Sequence, residues 1–333
     1  MTAYRALALQ VPTVAINGAA DPRAEIRAAI ERVNARVGGA KAWIGADLRL
    51  VVLPEYVLTG FPLGESVAEW RDKATLDDLC YQALAKVATG HGVYLCVNAY
   101  ERDEHFPDLF FQGSLIFDPS GEIVLRYRRL HSMFSPTPYD VWERYVDVYG
   151  MDAVLPVAAT ELGNLAVIAS EEILYPELAR ALALRGAEVF CHPTSEIASP
   201  DLTQKAIGRR ARAIENLAYV VSANSGGLSG IAIPGDSTNG GSELIDYEGR
   251  RLAAAGPGDS LVASAELDLT ALRRYRTRPG MPNLLSRVKP GLWAEEYARH
   301  DVERPNGLDG AAPGRAFFVQ RQRDAIKRLY GAT

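Results

Sequence analysis

The sequence predicts an α/β fold built on mixed β-sheets. Strand patterns alternate with amphipathic helix patterns over roughly the first 256 residues, which is the arrangement of layered α/β proteins. Two segments, "GSLIFDPSGEIVLRYRRLH" and "GGSELIDYEGRRLAAAG", have the pattern of two strands around a tight turn. Such hairpins add antiparallel pairs, so the sheet is predicted to be mixed and not purely parallel.

The first half of the chain supplies its elements in a regular order. A strand, "YRALALQV", precedes a helix that Asp21 caps and Pro22 opens. A buried strand, "LRLVVLPEY", ends at Glu55, and a helix, "TLDDLCYQALAKVATGHG", is stopped by glycine. The strand "VYLCVNAYE" follows, and the first hairpin then ends its second strand at Arg129.

The second half repeats this order around a strand-to-helix elbow. An apolar strand over 165–169 runs directly into Ser170, Glu171 and Glu172, and a helix follows over about 175–185. A strand over 188–192, the helix "DLTQKAIGRRARAIENL", the strand "AYVVSANS" and the second hairpin complete the pattern. Because reactive nucleophiles are often placed at such elbows, Ser170 is a nucleophile, a replacement for one, or only a polar strand end.

The chain changes character after Asp268. The stretch "RRYRTRPGMPNLLSRVKPG" is rich in Arg and Pro and poor in strand signal. We therefore predict a domain at 1–268 and a C-terminal extension at 269–333 that packs on the body or on a partner subunit. Scattered apolar residues in the extension need a surface to pack on, and we expect a homodimer or a larger even assembly. These residues are Leu284, Leu285, Leu292 and Trp293.

Composition and charge exclude several classes of partner. The net charge is −5 and no Lys/Arg run stands out, so we expect no nucleic acid and no membrane partner. No apolar window is long enough to span a bilayer, and the stretch "MTAYRALALQVPTVAI" lacks the basic and long apolar regions expected of a signal peptide. Three scattered cysteines favour a reducing, cytoplasmic location. The five histidines lack metal-ligand spacing, so we expect no metal. We also expect no cofactor and a small-molecule ligand.

Three chemistry-bearing residues each lie at the end of a predicted strand. Glu55, Arg129 and Ser170 supply an acid, a base and a candidate nucleophile within one α/β body. Ligand sites tend to form at such strand ends. Taken alone, Glu55 is better explained by an ion pair with a framework arginine.

Several ordered motifs resemble the carbon–nitrogen hydrolase (nitrilase) superfamily, and its aliphatic amidase-like branch most closely. The resemblance covers roughly residues 4–274. It implies a four-layer α-β-β-α sandwich that usually dimerises, and it favours one pocket for the three strand-end residues. The motifs are "LPEY", "GEIVLRYRRLH", "GNLAVIASEEILYPELARALALRGAEV", "RARAIENLAYVVSANSGG" and "GGSELIDYEGRRLA".

The chain departs from the family pattern at two catalytic positions. The resemblance implies a Glu-Lys-Cys triad, in which Glu55 matches the glutamate while Arg129 stands at the lysine position and Ser170 at the cysteine position. The family's supporting second glutamate is expected at Glu143, with Asp140 as the other choice. The substrate pocket is predicted to include further aromatic and acidic residues, with Glu171 alternatively directed into the core. They are Tyr56, Tyr139, Trp142, Glu171 and Glu172.

These two replacements change the chemistry that the site can perform. A thiol with a pKa near ~8.5 forms a thiolate beside a cation, whereas a serine hydroxyl needs a strong base, usually His or a neutral Lys. Arg129 keeps a positive charge but cannot shuttle a proton. Because the matching motifs offer Ser170 no such base, we predict a weak nucleophile or none, and no ordinary Cys-thioester hydrolysis.

Two functions from different classes therefore stay open. The first is an altered amidohydrolase for a small amide, nitrile or related C–N compound. The second is a pseudoenzyme that binds a small ligand or a partner without turnover. Ser170 itself fits an engineered Cys-to-Ser replacement, a natural non-hydrolytic site or a serine-using enzyme, and the change at two triad positions favours a natural departure. The carboxylate-rich pocket suits an amine, amide or guanidinium ligand.

Two other residues are weaker candidates for chemistry. Cys191 ends a strand beside His192, but neighbouring strand residues point to opposite faces, which predicts a core cysteine. His131 follows the Arg129 strand end and is better explained as a surface or supporting histidine.

Overall fold

The computed structural model describes residues 3–308 and 313–331. Fourteen strands lie in this part of the chain. They are β1 (Ala3–Ala8), β2 (Thr13–Val14), β3 (Leu48–Val52), β4 (Tyr94–Glu101), β5 (Phe111–Phe117), β6 (Ile123–Arg128), β7 (Ala158–Thr160), β8 (Gly163–Val167), β9 (Val189–Pro193), β10 (Tyr219–Ala223), β11 (Leu228–Ser229), β12 (Glu243–Ile245), β13 (Arg251–Ala254) and β14 (Ser264–Asp268).

Nine α-helices occupy the same residues. They are α1 (Pro22–Ile44), α2 (Val67–Ala74), α3 (Asp78–His91), α4 (Trp142–Tyr149), α5 (Pro176–Leu184), α6 (Gln204–Asn216), α7 (Leu269–Thr277), α8 (Pro290–Tyr297) and α9 (Arg315–Tyr330). None of the helices in these described ranges is long and apolar enough to cross a membrane.

The structure contains two six-stranded sheets with the same arrangement of parallel and antiparallel strands. The first has the order β14-β1-β3-β4-β5-β6 and the second β13-β12-β10-β9-β8-β7. Three central strands of each sheet run parallel, and the outer strands pair antiparallel. The two predicted hairpins are β5–β6 and β12–β13. The fold is therefore the predicted α/β arrangement with mixed sheets.

The two sheets pack face to face with helices outside. Apolar residues of both sheets form one core, in which Val52 and Cys96 of the first sheet join Val167, Cys191 and Val221 of the second. The outer face of the first sheet packs against α1, α2 and α3, and α5 and α6 cover the second sheet. This is the four-layer α-β-β-α sandwich. It places the ends of β3, β6, β8 and β9 near one another.

A buried carboxylate joins the two sheets at these strand ends. Glu172 is 0% exposed and lies in a short 3₁₀ helix, Ser170–Leu174, that follows β8. It accepts hydrogen bonds from the Tyr127 hydroxyl (2.8 Å) and from the backbone N–H groups of Leu130 (2.8 Å) and His131 (3.0 Å) beyond β6. The structure thus places Glu172 in the core and not in the predicted substrate pocket.

The described part of the C-terminal extension packs on the body. The backbone N–H of Leu308 donates to the Asp140 carbonyl (3.1 Å), and Arg321 on α9 forms an ion pair with the Asp140 carboxylate. Phe318, also on α9, is buried. In contrast, Leu292 and Trp293 on α8 are 57% and 56% exposed, so this helix presents apolar side chains to solvent.

We predict that Glu172→Ala destabilises the fold strongly. The change leaves several buried donors without an acceptor, each of which costs about 1–3 kcal/mol. The free energy of unfolding should fall by about 3 kcal/mol or more, measured by urea denaturation. Glu31→Ala, on the exposed face of α1, is the matched control and should leave the midpoint nearly unchanged. Equal midpoints for the two variants would show that Glu172 does not join the sheets.

Candidate active site

The backbone adopts a strained conformation at two positions near the strand ends. Only four non-glycine residues in the described part of the chain have positive φ, and two of them are Tyr56 (φ 63°) and Ser170 (φ 52°). Tyr56 follows Glu55 directly, and Ser170 opens the elbow after β8. Left-handed backbone costs free energy for residues with a Cβ and is concentrated at functional sites. The strained backbone at Tyr56 and Ser170 therefore indicates a candidate functional site at the ends of β3 and β8.

Glu55 and Arg129 form a buried ion pair. Glu55 is 1% exposed and Arg129 5%, and the guanidinium Nη1 lies 2.9 Å from Glu55 Oε1. Gln112 on β5 donates to the same carboxylate oxygen from 2.8 Å, and its own Oε1 accepts from Arg129 Nη1 at 2.9 Å. The backbone N–H of Ser195 donates to Glu55 Oε2 at 3.1 Å. Three donors therefore hold the Glu55 carboxylate in place.

A second carboxylate completes the surroundings of Arg129. Its Nη2 donates to Glu171 Oε1 at 2.6 Å, and its Nε donates to the His131 carbonyl at 2.6 Å. Burial lowers the pKa of a guanidinium, but the negative groups Glu55 and Glu171, with Tyr56, raise the Arg129 pKa well above its ordinary value. Arg129 is a permanent cation at this site. Glu171 therefore faces the site. The alternative expectation, that its side chain is directed into the core, does not match this contact.

The Ser170 hydroxyl contacts a lysine that lies outside the motifs shared with the family. Lys205 Nζ lies 2.8 Å from Ser170 Oγ. The same amine lies 2.9 Å from the Ser195 carbonyl and 3.4 Å from Thr194 Oγ1. Because Ser195 also binds Glu55 through its N–H, one short backbone segment connects the Glu55–Arg129 pair to Lys205 and Ser170.

Lys205 reaches Ser170 because of its position on α6. It lies in the first turn, and Thr203 caps this helix by accepting from the Ala206 N–H. Arg209 and Arg212 follow at helical spacing and are buried, so one face of α6 carries cations toward the strand ends. This spacing of three basic residues was the available sequence signal. Burial lowers the pKa of the Lys205 amine.

His192 holds the backbone of the elbow. Its Nε2 lies 2.8 Å from the Ser170 carbonyl and its Nδ1 2.8 Å from Ser222 Oγ. Burial, together with Arg209, lowers the His192 pKa well below its ordinary value, so the ring is neutral. A neutral ring that donates from Nε2 to a carbonyl accepts at Nδ1 from the Ser222 hydroxyl. His192 therefore positions Ser170 without contacting its hydroxyl.

A cavity of about 340 Å³ opens beside Glu171. It lies between the segment after β6 and α9. A larger cavity of about 490 Å³ lies along the β9–α6 loop, where Arg209 pairs with Glu196 and Glu243. The smaller cavity is the better candidate for substrate because it contains the carboxylate bound to Arg129. It is lined by Leu130, His131, Ser132, Met133, Thr137, Tyr139, Asp140, Glu171, Tyr175, Glu303, Phe318, Arg321 and Gln322.

Some of the remaining residues predicted for the site lie at this cavity or at Arg129, and others do not. Tyr139 lines the cavity beside Glu171, and the Trp142 ring packs against the Tyr139 ring with 5.6 Å between their centroids. Tyr56 lies 3.4 Å from Arg129 Nη1 through its hydroxyl. Glu143 is exposed on α4 and borders a separate cavity, so the structure does not bring it to Arg129. Asp140, the other choice, borders the Glu171 cavity but pairs with Arg321.

The two weaker candidates occupy supporting positions. Cys191 is 0% exposed in the core between the sheets. The His131 ring stacks on Tyr175 with 3.9 Å between centroids and lies 3.3 Å from Glu172. Residues 3–308 and 313–331 contain no group of three or more His, Cys, Asp or Glu side chains that could hold a metal ion.

Comparisons with known proteins give this site a family context. The carbon–nitrogen hydrolase family model matches residues 3–277. Deaminated glutathione amidase of Yersinia enterocolitica is 28% identical over 240 residues, which cover 71% of this chain and 81% of that protein. A formamidase of Pseudomonas syringae is 27% identical over 235 residues, which cover 70% of this chain but only 64% of the formamidase.

A solved structure shares the fold. The carbon–nitrogen hydrolase from Helicobacter pylori superposes with a TM-score of 0.66 at 20% identity, covering 89% of this chain and 98% of that chain. At this identity the likeness concerns the fold alone. The family model, however, matches most of the chain, from β1 to the end of α7. The protein belongs to the carbon–nitrogen hydrolase family.

Proposed function

We propose that this protein hydrolyses the C–N bond of a small carboxamide and that Ser170 receives the acyl group. The observation that carries the proposal is the Ser170 hydroxyl on a left-handed elbow, hydrogen-bonded to an amine and one residue from the carboxylate that binds Arg129. The nucleophile and the fixed cation therefore lie at one end of the sandwich, and Glu171, which follows Ser170 and binds Arg129, lines the adjacent cavity. The intermediate is an ester and not the thioester of a cysteine enzyme.

The substrate class follows from the cavity and from the relatives. The cavity beside Glu171 is small, and its wall carries three carboxylates, of which Asp140 and Glu303 share the single guanidinium of Arg321. Such walls favour a neutral or cationic amide over an anionic one. The names of the relatives, a deaminated glutathione amidase and formamidases, also describe amide-cleaving proteins. We therefore favour amides over nitriles.

Arg129 has an electrostatic role in this proposal. Attack on the amide carbonyl places negative charge on its oxygen, and a fixed cation nearby stabilises that charge. Arg129 stays charged and is held by carboxylates on two elements, so its guanidinium needs little reorganisation during the reaction. It cannot supply or remove the proton of Ser170.

Binding without turnover is the second candidate function. It is favoured by the occupation of the Glu55 carboxylate, which three donors contact, so that this glutamate is poorly placed to take a proton. In that case the pocket would retain the amide without forming an ester at Ser170.

We also propose a homodimer in a reducing, cytoplasmic location. Three buried free cysteines suit a reducing compartment. Helix α8 exposes Leu292, Trp293 and Tyr297 by 56–57% each, and a second subunit would cover this surface.

Amide hydrolysis should depend on Ser170. We expect the chain to release ammonia or amine from at least one member of a panel of short neutral and cationic carboxamides. Intact-mass spectrometry should show the acyl adduct on the protein. Ser170→Ala should remove both signals, while Ser120→Ala, at an exposed position in the turn between β5 and β6, serves as the matched serine control and should keep both. Retention of turnover in Ser170→Ala, or its absence for every amide, would contradict the proposal.

Restoring the family's residues at both altered positions should increase acylation more than either change alone. Residues that act as a unit are not additive, because a thiolate at position 170 gains most when a compact ammonium replaces the Arg129 guanidinium. The burst of acylation by a simple amide is compared across the wild type, Ser170→Cys, Arg129→Lys and the double variant. Strictly additive effects would show that the two positions act independently.

The dimer should separate when its apolar surface is disrupted. Light scattering at micromolar concentration should give an even-numbered assembly for the wild type. Trp293→Glu should lower the molecular mass because it places a charge in an apolar contact. Leu63→Glu, at an exposed apolar residue outside the extension, is the control. A stable wild-type monomer would exclude the dimer.

A further inference from the structure

We propose that Lys205 is the general base that activates Ser170, so that the two residues form a Ser–Lys catalytic dyad. This inference deepens the proposed function and rests on Ser170 as the reacting group. Lys205 Nζ, at 2.8 Å, is the hydrogen-bond partner of Ser170 Oγ among the described side chains. A base must lie within about 2.6–3.2 Å of the proton that it removes, and this distance satisfies that requirement.

The contacts of Lys205 fit a neutral amine. A neutral amine has two N–H donors and one lone pair. An ammonium donates to all three oxygens, whereas in the neutral form the two donors match the Ser195 carbonyl at 2.9 Å and Thr194 Oγ1 at 3.4 Å, and the lone pair is left for the Ser170 hydroxyl. Each of these three partners is uncharged. The amine therefore has the geometry to accept the proton of Ser170.

The surroundings do not hold Lys205 as an ammonium through a direct ion pair. In the described part of the chain, Lys73 is the only lysine with a carboxylate oxygen within 4.0 Å. Burial lowers the Lys205 pKa, and Arg129 lowers it further, while the more distant carboxylates of Glu55, Glu196 and Glu171 act in the opposite direction. The net shift is downward. A larger fraction of Lys205 is thus neutral at a given pH than of an exposed lysine.

Other groups near Ser170 are unsuited to the same role. His192 is neutral, but both of its ring nitrogens are used by the Ser170 carbonyl and Ser222. Arg209, also on α6, is bound to Glu196 and Glu243. Glu55 accepts from three donors and does not contact Ser170 Oγ. Lys205 is the group in contact with the hydroxyl that is able to give up and regain a proton.

The proposed reaction conserves atoms and protons at each step. Ser170 Oγ attacks the amide carbonyl carbon while its proton passes to Lys205 Nζ. The C–N bond then breaks, and Lys205 returns the proton to the leaving nitrogen, which departs as ammonia or an amine. Water next attacks the ester and gives a proton to Lys205. The C–Oγ bond breaks, the acid leaves, and the proton returns to Ser170 Oγ.

A fluorophosphonate tests the dyad without knowledge of the natural substrate. Diisopropyl fluorophosphate forms an Oγ–P bond as its P–F bond breaks, and the hydroxyl proton goes to the base. We expect intact-mass labelling of the wild type at Ser170 and none of Ser170→Ala. Lys205→Met and Lys205→Arg should each slow labelling by about 100-fold or more, the contribution of a general base. Lys86→Met, at an exposed lysine, should label at the wild-type rate.

Two readouts separate a base from a merely structural lysine. The wild-type labelling rate should rise with pH along a limb whose midpoint lies below the ordinary lysine pKa of 10.5, because only the neutral amine accepts the proton. This limb should disappear in Lys205→Met. In addition, Lys205→Met should slow the reaction of Ser170→Cys with iodoacetamide far less than it slows the labelling of Ser170, because a thiol with a pKa near ~8.5 ionises without a strong base.

The outcomes distinguish this inference from the proposed function. Wild-type-like labelling of folded Lys205→Met, or no labelling of wild-type Ser170, would overturn the dyad. Ser170-dependent amide hydrolysis that is insensitive to Lys205→Met would also overturn it while leaving the proposed function intact. Conversely, Lys205-dependent labelling without hydrolysis of any amide supports the dyad and removes the amidase assignment.

Discussion

The buried guanidinium of Arg129 is the group on which the rest of the site depends. A cation that is 5% exposed needs negative partners, and this chain provides Glu55 at the end of β3 and Glu171 on the elbow after β8. Satisfying one charge therefore fixes two strand ends that belong to different sheets. Glu172, one residue further, fixes the same elbow from inside the core.

Ser170 and Lys205 lie beside these ion pairs but are not part of them. The carboxylates that face Arg129 are used by Arg129, Gln112 and Ser195, so none is left within ion-pair distance of the Lys205 amine. The lysine instead contacts a hydroxyl and a carbonyl. One fixed cation and one titratable amine thus divide two tasks, charge stabilisation and proton transfer, that a single lysine cannot perform at the same moment.

The sequence predicted the parts of this site that depend on strand order. Glu55, Arg129 and Ser170 each end a strand, and the apolar runs before them identify those ends. The roles of Glu171 and Glu172 were not predictable, because a 3₁₀ turn replaces the strand alternation after Ser170. Glu143 lies on the exposed face of α4, and the sequence does not fix which face of this short helix points to the site. The contact of Lys205 with Ser170 does not follow from strand order, because it depends on how α6 is oriented against the elbow; the basic residues at helical spacing on α6 indicate only the face involved.

The protonation state of Lys205 is the central claim, and an NMR titration measures it directly. The chain has six lysines, so the ¹³Cε resonance of Lys205 is assigned by its loss in Lys205→Met. The account predicts a single-proton titration with a midpoint clearly below that of the other lysines, because burial disfavours the ammonium. A midpoint at or above the ordinary lysine pKa of 10.5 would contradict it, because Lys205 would then be a fixed cation unable to take the Ser170 proton.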